Sequence, residues 1–198
     1  MKIDREALRQ HYERLPDEDI ERLAYYEAND LTPEAVDILK NEIKRRGLSN
    51  SYETAVETHV AGLGEEEKKE LLNRISALAC PLCGSDHERL NASKVVTVKS
   101  FIVATTTEKP LIIACPDCIR ANAKGALITS LLLGWWGIPW GPISTLGSIV
   151  DNVMALNSKK YNELSSEFIE FFEPHLIAIK VNIDEVKDLN DLLETLNA

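Results

Sequence analysis

Residues Gly125 to Val150, GALITSLLLGWWGIPWGPISTLGSIV, run for 26 positions without a charge in a chain that is 27% charged. A surface of ordinary composition leaves no such gap, so the stretch has to be buried, in lipid or in protein. Five of the nine glycines, Pro139 and Pro142, and all three tryptophans (Trp135, Trp136 and Trp140) lie inside it, concentrated at its centre. One helix through the whole stretch would be long enough to cross a bilayer. Proline inside a helix, however, removes a backbone donor and clashes with the preceding turn, so the spacing predicts a break over Gly134 to Pro142. The helices on either side, residues 119–133 and 143–156, are about 15 residues each, or roughly 22 Å, shorter than the roughly 30 Å of a hydrocarbon core. An apolar helical hairpin is the expectation, with Trp135, Trp136, Pro139, Trp140 and Pro142 at the membrane or interface end.

Basic residues flank the stretch on both sides, Arg120 and Lys124 before it and Lys159 and Lys160 after it. A hairpin returns both flanks to one side, and the positive-inside bias makes that side cytosolic. Indole rings suit a headgroup region, but they suit packing between the helices as well. The same residues also suit a soluble protein in which the hairpin is a core or an oligomer interface, and the sequence leaves both readings open.

All four cysteines stand just upstream, as Cys80-Pro-Leu-Cys83 and Cys115-Pro-Asp-Cys118, with 31 residues between the pairs. Two C-x-x-C pairs at this spacing suit a zinc ribbon, in which each knuckle gives two thiolates to one tetrahedral Zn2+. The chain begins MKIDREALRQ, with no apolar run of the kind a secretory signal needs. That places its start in the cytosol, where thiols stay reduced and paired cysteines read as metal ligands rather than disulfides. Redox-active or merely buried thiol pairs are the competing reading. A catalytic zinc needs an open coordination position, and four cysteines leave none. His87, four residues beyond Cys83, is a spare ligand with nothing to favour it. Between the pairs, Lys94 to Thr105 and Leu111 to Ala114 read as strands and Thr105 to Pro110 as the polar turn joining them.

The remaining chain is helical by pattern. In residues 1–64, apolar positions recur at three and four over Ile3 to Leu15 and again over Asp17 to Ala28. A third helix is marked at both ends, by Thr32 as N-cap, Pro33 in the first turn, and Gly47 after the basic run Lys44-Arg45-Arg46. Short helices follow over 51–60 and 65–78, with Gly62-Leu63-Gly64 between them. In the tail, Tyr161 to Phe172 predicts an amphipathic helix, His175 to Val181 a strand, and Asp184 to Leu196 a closing helix. His11, His59 and His175 have no partner motif and read as packing.

The fold class expected is therefore α+β, mainly helical. Its parts are an acidic helical arm (1–64), a lead-in helix and zinc-ribbon β-hairpin module (65–120), the apolar hairpin (121–157) and a helix–strand–helix α/β tail (158–198). The net charge of −10 divides as −6 over residues 1–79, +2 over 80–124, −1 over 125–157 and −5 over 158–198. Nucleic-acid binding draws most of its affinity from phosphate contacts by a basic patch. Lys94, Lys99, Lys109, Arg120 and Lys124 offer only a modest one, so nucleic acid ranks last among the binding partners. No nucleotide loop, nucleophile elbow or metalloprotease motif is present. The expectation is a protein that is not an enzyme and has no small-molecule substrate; the sequence sets no oligomeric state.

The ordered set CPLC, CPDC and LLLGWWGIPWGPI resembles a group of uncharacterised bacterial zinc-ribbon proteins that carry a membrane-associated GWWGxPWG segment after the second cysteine pair. The likeness covers roughly residues 80–157; LTPEAVDILKNEIKRRGL in the arm resembles a short helical segment also found in proteins of unassigned role. It implies structural zinc on Cys80, Cys83, Cys115 and Cys118 and association with a membrane, and it implies no activity. The function expected is a membrane-associated protein with cytosolic termini whose acidic helices bind another protein. The alternative is a cytoplasmic zinc-ribbon adaptor with a buried or oligomeric hairpin.

Overall fold

A computed structural model describes residues 5–101, 104–136, 140–157, 161–184, 186 and 190–193. It is mainly helical, with two small antiparallel two-stranded sheets. The chain divides into two compact units, one of residues 1–72, 172–186 and 191–198, the other of residues 73–171 and 187–190.

The first unit holds helices α1 (Arg5–Arg14), α2 (Asp17–Arg22), α3 (Pro33–Arg46) and α4 (Asn50–Ala61). After α2 the chain widens into a π-helical turn over Leu23–Glu27 and a short 3-10 turn over Ala28–Asp30. The third helix starts and stops where its sequence directs. The Thr32 hydroxyl accepts from the Ala35 amide, and Gly47 takes the left-handed conformation (φ 67°) that lets its amide reach the carbonyls of the last turn. Tyr12, Ile20, Ala24, Ile38, Leu39, Ile43 and Val56 meet in one apolar core. Helix α5 (Glu65–Ser76) leads out of this unit.

Tail residues return to the same unit, where the structure corrects the reading of His175 to Val181 as a strand. Glu173–His175 is a 3-10 turn and Leu176–Asn182 a helix. The buried positions Leu176, Ile179 and Ile183 fall three and four apart, which is helical spacing hidden inside a short, nearly continuous apolar run. Residues 190–193 are helical, while 185, 187–189 and 194–196 of the expected closing helix lie outside the described residues.

In the second unit, strands β1 (Asn91–Lys94) and β4 (Leu111–Ala114) pair antiparallel, and so do β2 (Thr97–Phe101) and β3 (Ala104–Glu108). The four make one long arm interrupted midway, at Val95-Val96 on one side and Lys109-Pro110 on the other. The polar turn expected over Thr105 to Pro110 is corrected here: β-branched threonines suit a pleated strand, and Thr105, Thr106 and Thr107 pair with Ser100, Lys99 and Val98. Pro110 has no amide to give a ladder, and the pairing lapses beside it.

Helices α6 (Pro116–Leu133) and α7 (Trp140–Leu156) form the hairpin that the broken apolar stretch predicts, packed on each other and on β2. Helix α8 (Ser166–Phe172) follows. The lead-in to α8 is fastened to β1: the Asn91 carboxamide oxygen accepts from the Ser165 amide at 2.9 Å, its nitrogen donates to the Glu163 carbonyl at 2.8 Å, and the Ser165 hydroxyl donates to the Ala92 carbonyl at 2.8 Å. No helix among the described residues is long and apolar enough to cross a membrane.

Candidate metal centre and apolar hairpin

The four cysteines come from two chain turns. In the first, the Gly84 amide donates to the Cys80 carbonyl at 2.7 Å and the Cys80 amide to the Ser85 carbonyl at 2.8 Å, a curl closed by Gly84 at φ 70°. A side chain would strain that backbone. In the second, Cys115 caps the N-terminus of α6, with Pro116 at its first position and Cys118 in its first turn.

The four Sγ atoms lie within 4.8 Å of one another, and Cys83 and Cys115 are 3.7 Å apart. Sulfurs bound to one tetrahedral zinc at about 2.3 Å stand roughly 3.8 Å from each other, so the cluster is the right size for one such ion. Cys80 and Cys115 are buried, Cys118 is half-buried and Cys83 is exposed. Burial works to raise the Cys80 thiol, but hydrogen bonds from the amides of Cys115, Leu82 and Cys83 outweigh it and hold the group at about 7. Burial pushes the Cys115 and Cys118 thiols up. His87 stands outside the cluster, its side chain 92% exposed.

The hairpin has an interior of mostly small and polar residues. The buried face of α6 is Ile119, Ala123, Ala126, Ser130 and Gly134, and that of α7 is Gly141, Thr145, Ser148, Asn152 and Ala155. Nearly all are small or polar. Two of them complete the backbone of the β arm: Asn152 accepts from the Val96 amide at 3.0 Å and donates to the Val96 carbonyl at 2.7 Å, and Ser130 accepts from the Val98 amide at 2.9 Å. Side chains thus satisfy backbone groups of Val96, in the gap between β1 and β2, and of Val98 in β2 that would otherwise be left unpaired.

Large apolar side chains point the other way. Ile128, Leu131, Leu132, Leu133, Trp135 and Trp136 are exposed on α6 and the bend, and Trp140, Ile143, Leu146, Val150, Val153 and Met154 on α7. Of the residues expected at the interface end, all three tryptophans lie on the outside rather than between the helices, Pro142 is half-buried in the first turn of α7, and Pro139 lies outside the described residues. Lys159 and Lys160 also lie outside them. The sequence displayed the apolar total; it did not display the inversion, because the signal for that is the phase of Ser130, Thr145, Ser148 and Asn152 against the greasy positions.

No family model, curated protein or solved structure matches this chain.

Proposed function

We propose that this chain is a non-enzymatic, zinc-stabilised protein that attaches to a membrane through the α6–α7 hairpin and offers its acidic helices to a protein partner in the cytosol. The inverted hairpin carries the reading. Monomeric soluble proteins seldom expose contiguous apolar patches beyond a few hundred Å². Twelve large apolar residues at about half exposure, near 200 Å² each when fully exposed, come to roughly 1,200 Å². Helices in lipid meet through small residues and turn large apolar ones outward, and that is the division between Gly134, Gly141 and Ala126 on one side and Leu132, Trp136 and Ile143 on the other.

The zinc ribbon is the finer form of this reading. Its two knuckles would sit together at one end of the β arm, Cys80 and Cys83 ahead of β1 and Cys115 and Cys118 after β4. Four thiolates fill a tetrahedral shell and leave no place for a reactive water, which supports a structural role for the ion. The likeness of LLLGWWGIPWGPI to a membrane-associated segment points the same way. The alternative, a soluble zinc-ribbon adaptor, seals the apolar face against another copy of the chain.

Flotation on a density gradient with lipid vesicles, together with metal analysis of the same fractions, tests the proposal. The chain is expected in the lipid fraction after a carbonate wash, with one zinc per chain. Protein left wholly in the aqueous fraction as a defined oligomer would replace the membrane reading with the soluble one. Less than half an equivalent of metal, with all four thiols alkylated in the native state, would remove the zinc.

A further inference from the structure

We infer that the α6–α7 hairpin lies flat in a single leaflet of a zwitterionic membrane, α7 parallel to the surface, rather than standing upright with its bend in the bilayer interior. This rests on the membrane reading proposed above. The β arm is what forbids the upright pose. It packs on the inner face of the hairpin as far as the bend, where the Ser100 hydroxyl lies 2.9 Å from the point a Cβ on Gly141 would occupy. Lys99 is the next residue, paired with Glu108 at 3.5 Å, and Thr106 and Thr107 are exposed beside it. An upright hairpin would carry this strand pair, with its Lys99–Glu108 ion pair and exposed hydroxyls, out of water and into hydrocarbon alongside the tryptophans, and taking even a paired charge out of water is costly. Laid flat, the hairpin keeps the β arm on the water side and sinks only its outer face.

That face has the length and charge such a pose requires. On α7 it runs from Trp140 to Met154, 15 residues spaced by 14 rises of 1.5 Å, or roughly 21 Å, with Asp151 as its one charge, as in helices that lie in an interface. From Lys124 on α6 to Asp151 on α7 the sequence has no charge, and these two bounding residues cancel. A neutral face in a chain of net charge −10 is matched to neutral lipid and repelled by an anionic surface.

Two single-tryptophan chains read the pose in phosphatidylcholine vesicles brominated at defined depths. One keeps Trp140 with Trp135→Phe and Trp136→Phe; the other carries Met154→Trp with all three native tryptophans changed to Phe. Met154 is 59% exposed, so the fold tolerates the exchange, and far-ultraviolet circular dichroism verifies it. Both indoles are expected at one shallow depth, within about 5 Å of each other. A difference approaching the roughly 21 Å of the helix would overturn the flat pose and leave membrane attachment standing. A chain that binds no vesicle and remains a soluble dimer would instead overturn attachment itself. Replacing part of the lipid with phosphatidylglycerol is expected to leave binding unchanged or weaker, and a tenfold gain or more (~1.4 kcal/mol) would overturn the neutral seat.

Discussion

Glu42 is 5% exposed, an unusual place for a carboxylate, and two guanidiniums make it tenable. Arg45 holds it with bonds of 2.6 and 2.8 Å and Arg46 with one of 2.5 Å, while Arg46 also donates to the Tyr12 carbonyl in the last turn of α1 and to the Leu15 carbonyl just past it. The Arg45 bonds foremost, opposed by burial and aided by Arg46, bring the Glu42 carboxyl down to about 2 from an ordinary 4.5. Because the folded value lies below the unfolded one, the group contributes its full stability above about pH 4.5 and loses it as the pH falls toward 2. Glu42→Gln is expected to cost about 1–3 kcal/mol at pH 7 by denaturant unfolding and to flatten the loss of stability between pH 4.5 and 2. Parallel acid curves for the two proteins would place the effect elsewhere. The cysteines titrate in the opposite sense. Burial holds the Cys115 and Cys118 thiols protonated at neutral pH, and zinc must displace those protons. Apparent zinc affinity is therefore expected to rise with pH, by about tenfold per unit for each proton released, as competition with a chelator would measure.

At the scale of elements the glycines of the hairpin separate two effects of one substitution. A Cβ on Gly134 would overlap the Thr145 hydroxyl, and one on Gly141 would meet the Gly134 carbonyl at 2.7 Å. At Gly125 and Gly147, also within the helices, it would meet nothing within 4 Å. Gly134→Ala is expected to destabilise by about 1–3 kcal/mol through overpacking, whereas Gly147→Ala is expected to stabilise by about 0.5–1 kcal/mol through helix propensity. Thermal unfolding of the two variants measures both, and equal signs would deny the close crossing. Element by element, the sequence was legible where a residue acts alone on its own backbone. Thr32, Pro33 and Gly47 bounded α3, the two C-x-x-C pairs marked the cluster, and Pro139 with Pro142 announced the break. It misled where the deciding contact is distant: the threonines of β3 are a strand because β2 lies beside them, and Leu176–Asn182 is a helix because its three-and-four face is the one buried. The buried Asn152 gave no signal at all, since its partner, the Val96 backbone, is 56 residues away.

Taken whole, the molecule keeps its acid and its grease in separate units. Residues 1–72 and 172–186 share one unit, although nearly 100 residues of sequence lie between them, and residues 73–171 contain all four cysteines and the hairpin. A chain of residues 73–171 alone is expected to bind one zinc and to float with vesicles; loss of the metal would mean that residues outside this span help to form the site. The inverted hairpin also sets what evolution is free to change. In most soluble domains the interior is conservative in chemistry and the exterior free. Here the outward positions Leu132, Ile143 and Val150 can exchange among aliphatic residues at little cost but accept no charge, while Ser130, Thr145 and Asn152 inside cannot become leucine. Drift among related chains would then write its variation in hydrocarbon and hold its hydroxyls and amides constant.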